Sequence, residues 1–405
     1  MDVFSFIQLF GGLAFFLFGM NLLSGSLEKM TGGKLEKLLK KATDNKFKGL
    51  AIGAIITIAI QSSSAMTVML VGFVNSGIMD LGQTIGVIFG SDIGTTLTAW
   101  ILSLAGIDSG GSIILGLLKP KNFSLIFALI GVIMTMMGKT QKKKDAGNML
   151  LGFAVLMTGM TMMSSSMDPL AESESFRSML TAFNNPLLGV LVGTVITGVI
   201  QSSAASIGMI QSLSLTGALT WGMSIPLIMG ANIGTCMTAI LSCIGVNRNA
   251  KRVSVVHVSV KIIGTIFWLI VFYGLNAVLH FDFMQQVIGP LGVAGAHSIF
   301  NILTVLILFP CSSLLEKLAM RIIKDKREDK EIFLDERLMT TPSFAIAECG
   351  NSMRRMIARV EVAIELAVET VKNGFVQEKY DKIMKNEDKI DSYEDLIGAY
   401  IMKLS

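Results

Sequence analysis

The chain is built from long apolar blocks separated by short polar stretches, up to about residue 315. Several blocks reach the roughly twenty residues needed to cross the hydrocarbon core of a bilayer. Only 16% of the residues are charged, against roughly 25% in an average soluble domain. The pattern predicts an all-α polytopic membrane protein. Its apolar segments fall at residues 3–27, 49–75, 82–106, 122–138, 146–167, 187–214, 221–245, 253–279 and 289–315.

Two of these segments contain similar polar clusters that lie 140 residues apart. Residues 61–67 read QSSSAMT, and residues 201–206 read QSSAAS. The same offset aligns many glycines without a gap from Gly12 to Ala99. Self-similarity at one fixed offset indicates a duplication. Polar groups at membrane depth are tolerated only when they are buried in protein or face a cavity. The duplication therefore predicts a binding site that is built twice.

Each polar cluster predicts the tip of a re-entrant helical hairpin. A helix from Gly49 to Ser62 would be about 20 Å long, enough to pass the middle of the bilayer but not to cross it. Serine bonds to backbone groups and caps helices, which favours a helix break at the cluster. We therefore expect hairpins at 49–75 and 187–214.

The placement of lysine and arginine agrees with hairpins. Basic clusters lie at 34–48, at 139–144, at 248–252 and after 317. If every segment crossed the membrane, the first two clusters would face opposite sides, against the positive-inside rule. With hairpins, all four clusters face the cytoplasm, the N-terminus lies outside and the C-terminus inside. Each unit then crosses three times, so the two repeats are inverted about an axis in the membrane plane. Residues 34–48 also predict an amphipathic surface helix.

After Glu316 the composition changes to alternating charge. A charged linker is predicted at 317–342, followed by soluble helices at 343–373 and 376–403. Two helices cannot bury the apolar face of the first one, so we expect further residues, a homodimer or another partner to complete a helical bundle. That face contains Met353, Ile357, Val360, Ile364, Ala367 and Val371. The predicted units are repeat 1 at 1–140, repeat 2 at 141–280, a final transmembrane helix at 281–316, the linker, and cytoplasmic helices at 343–405.

A second paired motif follows each hairpin. Residues 90–95 read GSDIGT and residues 230–235 read GANIGT. Glycines around an acid or amide allow a helix to unwind at mid-membrane, which predicts broken helices at 82–106 and 221–245. Freed carbonyls and side-chain oxygens suit Na⁺, and the new helix N-termini suit an anion. This layout is that of an alternating-access carrier. The candidate cation ligands are Thr67, Asp92, Thr95, Thr98, Ser206, Asn232, Thr235 and Thr238.

The duplicated QSS motif with a following G-x-[DN]-I-G-T resembles the sodium/phosphate cotransporter family, over about residues 5–316. Residues 296–301, AHSIFN, also resemble a family segment. The resemblance implies Na⁺-coupled import of inorganic phosphate across a bacterial cell membrane, with Na⁺ as coupling ion and no cofactor. Bacterial members carry a PhoU-like cytoplasmic domain, which residues 387–391 partly resemble. The implied phosphate ligands are Gln61, Ser62, Ser63, Ser64, Gln201, Ser202 and Ser203.

Some single residues have simpler interpretations. Asp92 is the only acid inside a predicted span, which favours a function for it. Lys261 is expected to extend its amine to the cytoplasmic edge. We expect His257 and His297 to be hydrogen-bonded structural residues, and the four cysteines to be small core residues.

Two other functions remain open: transport of another small anion, and a membrane sensor that signals through its cytoplasmic helices. An enzyme is not expected, because no nucleophile and base or metal-binding set lies at membrane depth. The sequence gives no indication of a nucleic-acid partner.

Overall fold

The computed structural model describes residues 3–31, 45–75, 77, 79–106, 120–171, 174–324, 334, 336, 339 and 342–404. These residues are almost entirely helical, with an isolated bridge between Thr220 and Val287. The α-helices are α1 (Val3–Thr31), α2 (Lys46–Ile60), α3 (Ser63–Asn75), α4 (Leu81–Ser103), α5 (Pro120–Met137), α6 (Gln141–Ala171), α7 (Glu174–Thr181), α8 (Pro186–Ile200), α9 (Ser203–Ser214), α10 (Trp221–Gly234), α11 (Cys236–Leu241), α12 (Arg248–Leu279), α13 (Pro290–Leu308), α14 (Ser312–Ile322), α15 (Pro342–Asn373) and α16 (Gln377–Leu404).

Among the described residues, six helical segments are long and apolar enough to cross a membrane. They are α1, α4, α6, α10 together with α11, α12 and α13. Helix α5 is shorter but apolar, and it coincides with the predicted segment 122–138. Large apolar side chains such as Leu129 and Ile270 are exposed on these helices, where lipid would cover them. The prediction of an all-α polytopic membrane protein is confirmed.

Helices α1 and α6, which are predicted to begin the two repeats, pack antiparallel through glycines. Gly12 lies against the backbone of Gly159, and Gly19 lies against the backbone of Gly152. A Cβ added to Gly12 would be 2.8 Å from the backbone nitrogen of Met163. At the offset of 140 residues, Gly12 corresponds to Gly152 and Gly19 corresponds to Gly159. Gly12 therefore contacts the counterpart of Gly19, and Gly19 contacts the counterpart of Gly12. Small residues at such a crossing allow the two backbones to approach closely.

Helices α2 and α4 run in the same direction. Gly86, near the start of α4, lies against Lys46 at the start of α2, and Gly90 lies against Leu50, one turn further along both helices. Helix α3 connects them and ends at Asn75, shortly before α4 begins. It therefore returns to the end of the bundle at which α2 started. Helices α8, α9 and α10 repeat this arrangement.

The predicted unwinding of segment 82–106 is wrong, because α4 is continuous from Leu81 to Ser103. Its motif glycines serve close packing instead: a Cβ on Gly90 would overlap the carbonyl oxygen of Leu50. A Cβ on Gly94 would lie 2.7 Å from the carbonyl oxygen of Ala54. Segment 221–245 is interrupted once, at Thr235 between α10 and α11.

The C-terminal helices α15 and α16 match their predicted positions closely. The predicted apolar face of α15 is largely exposed, with Val371 86% accessible. Helix α14 extends to Ile322, into the predicted linker at 317–342. Most of 323–342, and residues 34–44 of the surface helix predicted at 34–48, lie outside the described residues. Burial, followed by the nearby Glu348 carboxylate, raises the pKa of the Cys349 thiol. Cys349 is a small core residue as predicted, whereas the same prediction is wrong for the exposed Cys311.

Candidate functional site

Both polar clusters contain a sharp helix break, and the break falls on the glutamine. Gln61 and Gln201 adopt left-handed backbone conformations, with φ of 54° and 59°. Each glutamine N–H still bonds to a threonine carbonyl of the preceding helix, that of Thr57 or Thr197, at 2.7 Å. This conformation is unfavourable for any residue with a Cβ. The break therefore lies one position before the serines, on whose capping tendency its prediction rests.

The first serine of each cluster caps the helix that leaves the break. The Ser62 Oγ accepts from the Ala65 N–H at 3.1 Å, and the Ser202 Oγ accepts from the Ala205 N–H at 3.2 Å. A serine hydroxyl that accepts a hydrogen bond keeps its own O–H for another acceptor. Both hydroxyls can therefore donate to an anion at the break. The other predicted phosphate hydroxyls lie in the first turns of α3 and α9: Ser63, Ser64 and Ser203.

The two glutamine side chains differ in their contacts. Gln61 is buried, its Oε1 accepts from the Thr98 hydroxyl at 2.8 Å, and its Nε2 donates to the Ile58 carbonyl at 2.6 Å. Gln201 is exposed, and the described part of the chain provides its side chain with no hydrogen bond. The amide of Gln61 is thus committed to the fold in this conformation, and only that of Gln201 is available to a ligand.

The predicted cation ligands on α4, α10 and α11 mostly donate their hydrogens to their own helix. Thr95 donates to the Ser91 carbonyl at 2.8 Å. Thr235 donates to the carbonyl of Asn232, and Thr238 donates to that of Thr235 at 2.9 Å. A hydroxyl that donates inward leaves its oxygen lone pairs for an incoming cation. These threonines therefore suit cations better than anions.

Two further predicted ligands lie one turn beyond the breaks. The Thr67 hydroxyl donates to the Ser63 carbonyl at 3.0 Å and lies 3.4 Å from Nδ1 of His257. Ser206 accepts from the Thr197 hydroxyl at 2.7 Å. His257 is a hydrogen-bonded residue, as expected. The expectation is wrong for His297, whose ring nitrogens have no hydrogen-bond partner among the described residues.

A buried ion pair joins α12 to α4. The Lys261 Nζ lies 2.7 Å from Oδ1 of Asp92, although the angle is too oblique for a hydrogen bond. The same Nζ donates to Oδ1 of Asn232 at 3.2 Å and to Oδ1 of Asn301 at 3.4 Å. Lys261, Asp92, Asn232 and Asn301 are 6%, 2%, 4% and 3% exposed. Asp92 and Asn232 occupy equivalent positions of the two repeats, so one ammonium group is shared between them.

The prediction that Lys261 reaches the cytoplasmic edge is wrong. Helix α12 begins at Arg248, so Lys261 lies about 20 Å along it, too deep for its amine to reach the edge. Neither Lys261 nor Asn301 is among the predicted phosphate or cation ligands. Asn247, which caps α12 by accepting from the Ala250 N–H, is the sequence signal that would have given the correct depth.

The structure brings the predicted residues together in part. Gln61 contacts Thr98, and Asp92 and Asn232 meet at Lys261. No hydrogen bond links the serines of one cluster to those of the other within the described ranges.

Equivalent residues of the two predicted repeats also make different hydrogen bonds. Thr57 donates to Ser91 at 2.9 Å, whereas its counterpart Thr197 donates to Ser206.

Comparisons with known proteins identify relatives of this chain. The sequence model of the Na⁺/Pi-cotransporter family matches residues 15–165 and again residues 155–291. YqeW of Bacillus subtilis, described as uncharacterized, is 27% identical over 317 residues, which cover 78% of this chain and 97% of that protein. The putative inorganic phosphate export protein YjbB of Salmonella typhimurium is 23% identical over 405 residues, which cover 98% of this chain and 71% of YjbB.

The human sodium-dependent phosphate transport protein 2B is 43% identical over 63 residues, which cover 16% of this chain and 9% of that protein. No solved structure matches the chain. The two family matches together span both helix breaks and both glycine motifs. The family, YjbB and protein 2B are named for phosphate transport or export, which is not an enzymatic activity. The chain therefore belongs to the Na⁺/Pi-cotransporter family.

Proposed function

We propose that this protein is a Na⁺-coupled carrier that imports inorganic phosphate by alternating access. The observation that carries the proposal is the pair of equivalent helix breaks beside a cation site shared by equivalent residues, Asp92 and Asn232. A carrier of this design binds its substrate where two repeats meet near the bilayer midplane.

The antiparallel packing of α1 and α6 supports inverted repeats. If a two-fold axis parallel to two equivalent helices related them, both helices would run in the same direction. A two-fold axis perpendicular to the helices makes them run in opposite directions. Since both helices are membrane spans, that axis lies in the membrane plane. The helix pairs α2–α3 and α8–α9 are then re-entrant hairpins that enter from opposite sides. The units at 1–140 and 141–280 are the two repeats, followed by the final transmembrane helix at 281–316.

Basic residues at one end of the bundle support a cytoplasmic C-terminus and an external N-terminus. Lys46 at the start of α2 donates to Ser312 at the start of α14, at 2.9 Å. Arg252, near the start of α12, donates to the carbonyl of Ile323. Positive charge collects on the cytoplasmic side of membrane proteins. In a bacterial inner membrane this end would face the cytoplasm. A PhoU-like identity for α15 and α16, and a homodimer formed through them, remain predictions.

Phosphate would bind at the two hairpin tips. The helices leaving the breaks direct free N–H groups and a positive dipole end at the tip, and the capping serines can donate their O–H groups. Gln201 adds an uncommitted amide. Ser64 has no hydroxyl counterpart, because Ala204 stands at its equivalent position, so one tip offers more donors than the other. Neutral donors without arginine favour binding that is still readily reversed.

The differences between the repeats support alternating access. Gln61 and Gln201 make different contacts, and Thr57 donates to Ser91 whereas Thr197 donates to Ser206. Two similar sequences thus adopt two side-chain conformations within one molecule. Because the repeats are inverted, exchanging these conformations would turn the site toward the opposite side of the membrane.

Uptake of radiolabelled phosphate into proteoliposomes tests the proposal. We expect uptake with an inward Na⁺ gradient and little when K⁺ replaces Na⁺. Uptake that does not depend on Na⁺ would remove the coupling. Stronger inhibition by excess sulfate than by excess unlabelled phosphate would show that a different anion is preferred. If no anion is transported, the sensor hypothesis becomes the better one.

Phosphate export is the second candidate function. It is favoured by the relatives of Salmonella and Escherichia coli, named putative inorganic phosphate export proteins, which match 98% of this chain. Phosphate content in cells that express the protein separates the two directions. Import raises the cellular content when external Na⁺ is added, whereas export lowers it in phosphate-loaded cells.

A further inference from the structure

The amine of Lys261 is surrounded by three side-chain oxygens from three different helices. Asp92 comes from α4, Asn232 from α10 and Asn301 from α13, at 2.7, 3.2 and 3.4 Å. The ammonium donates hydrogen bonds to the two asparagine oxygens and forms an ion pair with the Asp92 carboxylate. Asn232 and Asn301 also anchor their own amide nitrogens on helix carbonyls, which aims their oxygens at the ammonium.

This oxygen set is also suited to Na⁺. It combines one carboxylate with two neutral amide oxygens, so its net charge matches one monovalent cation. Hard cations prefer oxygen ligands of this kind in proteins. Thr95, one turn after Asp92, and Thr235, at the interruption beside Asn232, present hydroxyl lone pairs nearby. The ammonium thus occupies a place whose ligands would hold a metal cation.

Two cations cannot share this place. The four residues are almost fully buried, and repulsion between like charges is strong where water is excluded. Na⁺ can therefore enter only when the ammonium leaves. Lys261 is covalently attached and always present at the site, so it acts as a competitor with a fixed local concentration.

We propose that the Lys261 ammonium and Na⁺ compete for one binding site formed by Asp92, Asn232 and Asn301. The lysine sets how much Na⁺ is needed to load the carrier. The connection between this competition and phosphate transport rests on the proposed function above. The competition itself is a property of Na⁺ binding alone.

Na⁺ binding to the purified full-length protein in detergent tests the proposal, with ²²Na⁺ as the probe. If the ammonium fills the site most of the time, its removal in Lys261→Met raises the apparent Na⁺ affinity about tenfold or more. Lys261→Arg keeps the positive charge and is the matched control, which should leave Na⁺ affinity weak. The double variant Asp92→Asn with Lys261→Met removes both charges, and the gain in affinity should disappear.

An unchanged or lower Na⁺ affinity in Lys261→Met would overturn the proposal, as would the same gain in Lys261→Arg. If Lys261→Met does not fold, Asn301→Asp provides a second test, because it adds a second carboxylate to the site. This carboxylate should either bind the ammonium more tightly or allow Na⁺ to bind beside the ammonium. Continued exclusion of Na⁺ in this variant supports competition, whereas tighter Na⁺ binding with the lysine still present overturns it. Phosphate uptake by the wild-type protein is measured separately, so a failure of the proposed function is distinguished from a failure of this proposal.

Discussion

Gln61 and Gln201 hold a backbone conformation that costs a residue with a Cβ about 1–2 kcal/mol. Glycine would adopt it without strain, yet both positions carry the same polar side chain. For Gln61, the hydrogen bond to Thr98 offsets part of the strain. For Gln201 no such bond is found in the described structure. Strain that is retained without local compensation is typical of functional sites.

Replacement of Gln201 by glycine should therefore separate stability from function. We expect Gln201→Gly to raise the free energy of unfolding by about 1 kcal/mol, because the strain disappears and no hydrogen bond is lost. The same variant should lose most phosphate uptake, because the amide at the second tip is gone. Thermal unfolding in detergent and proteoliposome uptake measure the two effects. Gln61→Gly is the control and should show a smaller gain in the free energy of unfolding. Equal phosphate uptake by Gln201→Gly and by the wild type would exclude a ligand role for Gln201.

Lys261 illustrates what the sequence could and could not predict at the scale of single residues. Its depth was predictable, because the Asn247 cap marks the start of α12. Its partner Asp92 was recognised as a functional candidate from the cost of an intramembrane charge. Their pairing was not predictable, because it depends on how α4, α10, α12 and α13 pack, and no local pattern in the sequence encodes that arrangement.

At the scale of elements, motif glycines set how closely the hairpin helices approach their neighbours. Gly90 and Gly230 are equivalent, and each lies directly against the first helix of its own hairpin. The sequence pattern could not distinguish this role from helix unwinding, because glycine permits both. The apolar blocks, in contrast, predicted the helices well, since length and hydrophobicity follow directly from the bilayer.

Gly90→Ala should destabilise the protein by at least about 2 kcal/mol, since its methyl group would overlap the Leu50 carbonyl and force α2 and α4 apart. Thermal unfolding in detergent measures the loss. Gly295→Ala in α13 is the matched control. Beyond the neighbouring backbone of α13, no atom of the described residues lies within 4 Å of an added Cβ there, so its stability should be unchanged or slightly higher. Equal stability of the two variants would mean that α2 and α4 are not in close contact.

At the scale of the whole molecule, the inverted arrangement makes a prediction about membrane sides. Asn75 ends the second helix of the first hairpin, and Leu215, its equivalent, follows the corresponding helix of the second. In a protein without its native cysteines, Asn75→Cys should react with an impermeant maleimide only from the cytoplasm. Leu215→Cys should react only from outside.

Labelling of both positions from the same side would show that the repeats are parallel. The duplication and its offset of 140 residues could be predicted from the sequence, because the aligned motifs are visible in it. The orientation of the repeats could be predicted only indirectly, from the basic residues. The contacts of Gly12 with Gly159 and of Gly19 with Gly152 add a physical argument, because together they fix the relative direction of two equivalent helices.

The packing of α1 against α6 also bears on biosynthesis. Helix α1 leaves the ribosome before α6, which covers its glycine face and is made more than a hundred residues later. Until then, α1 must remain in the lipid without its main protein contact, and interactions between distant segments slow folding. The first half cannot complete its own packing during synthesis. Assembly of this carrier therefore waits for the second half, and both halves are expected to acquire their final structure in a single late step.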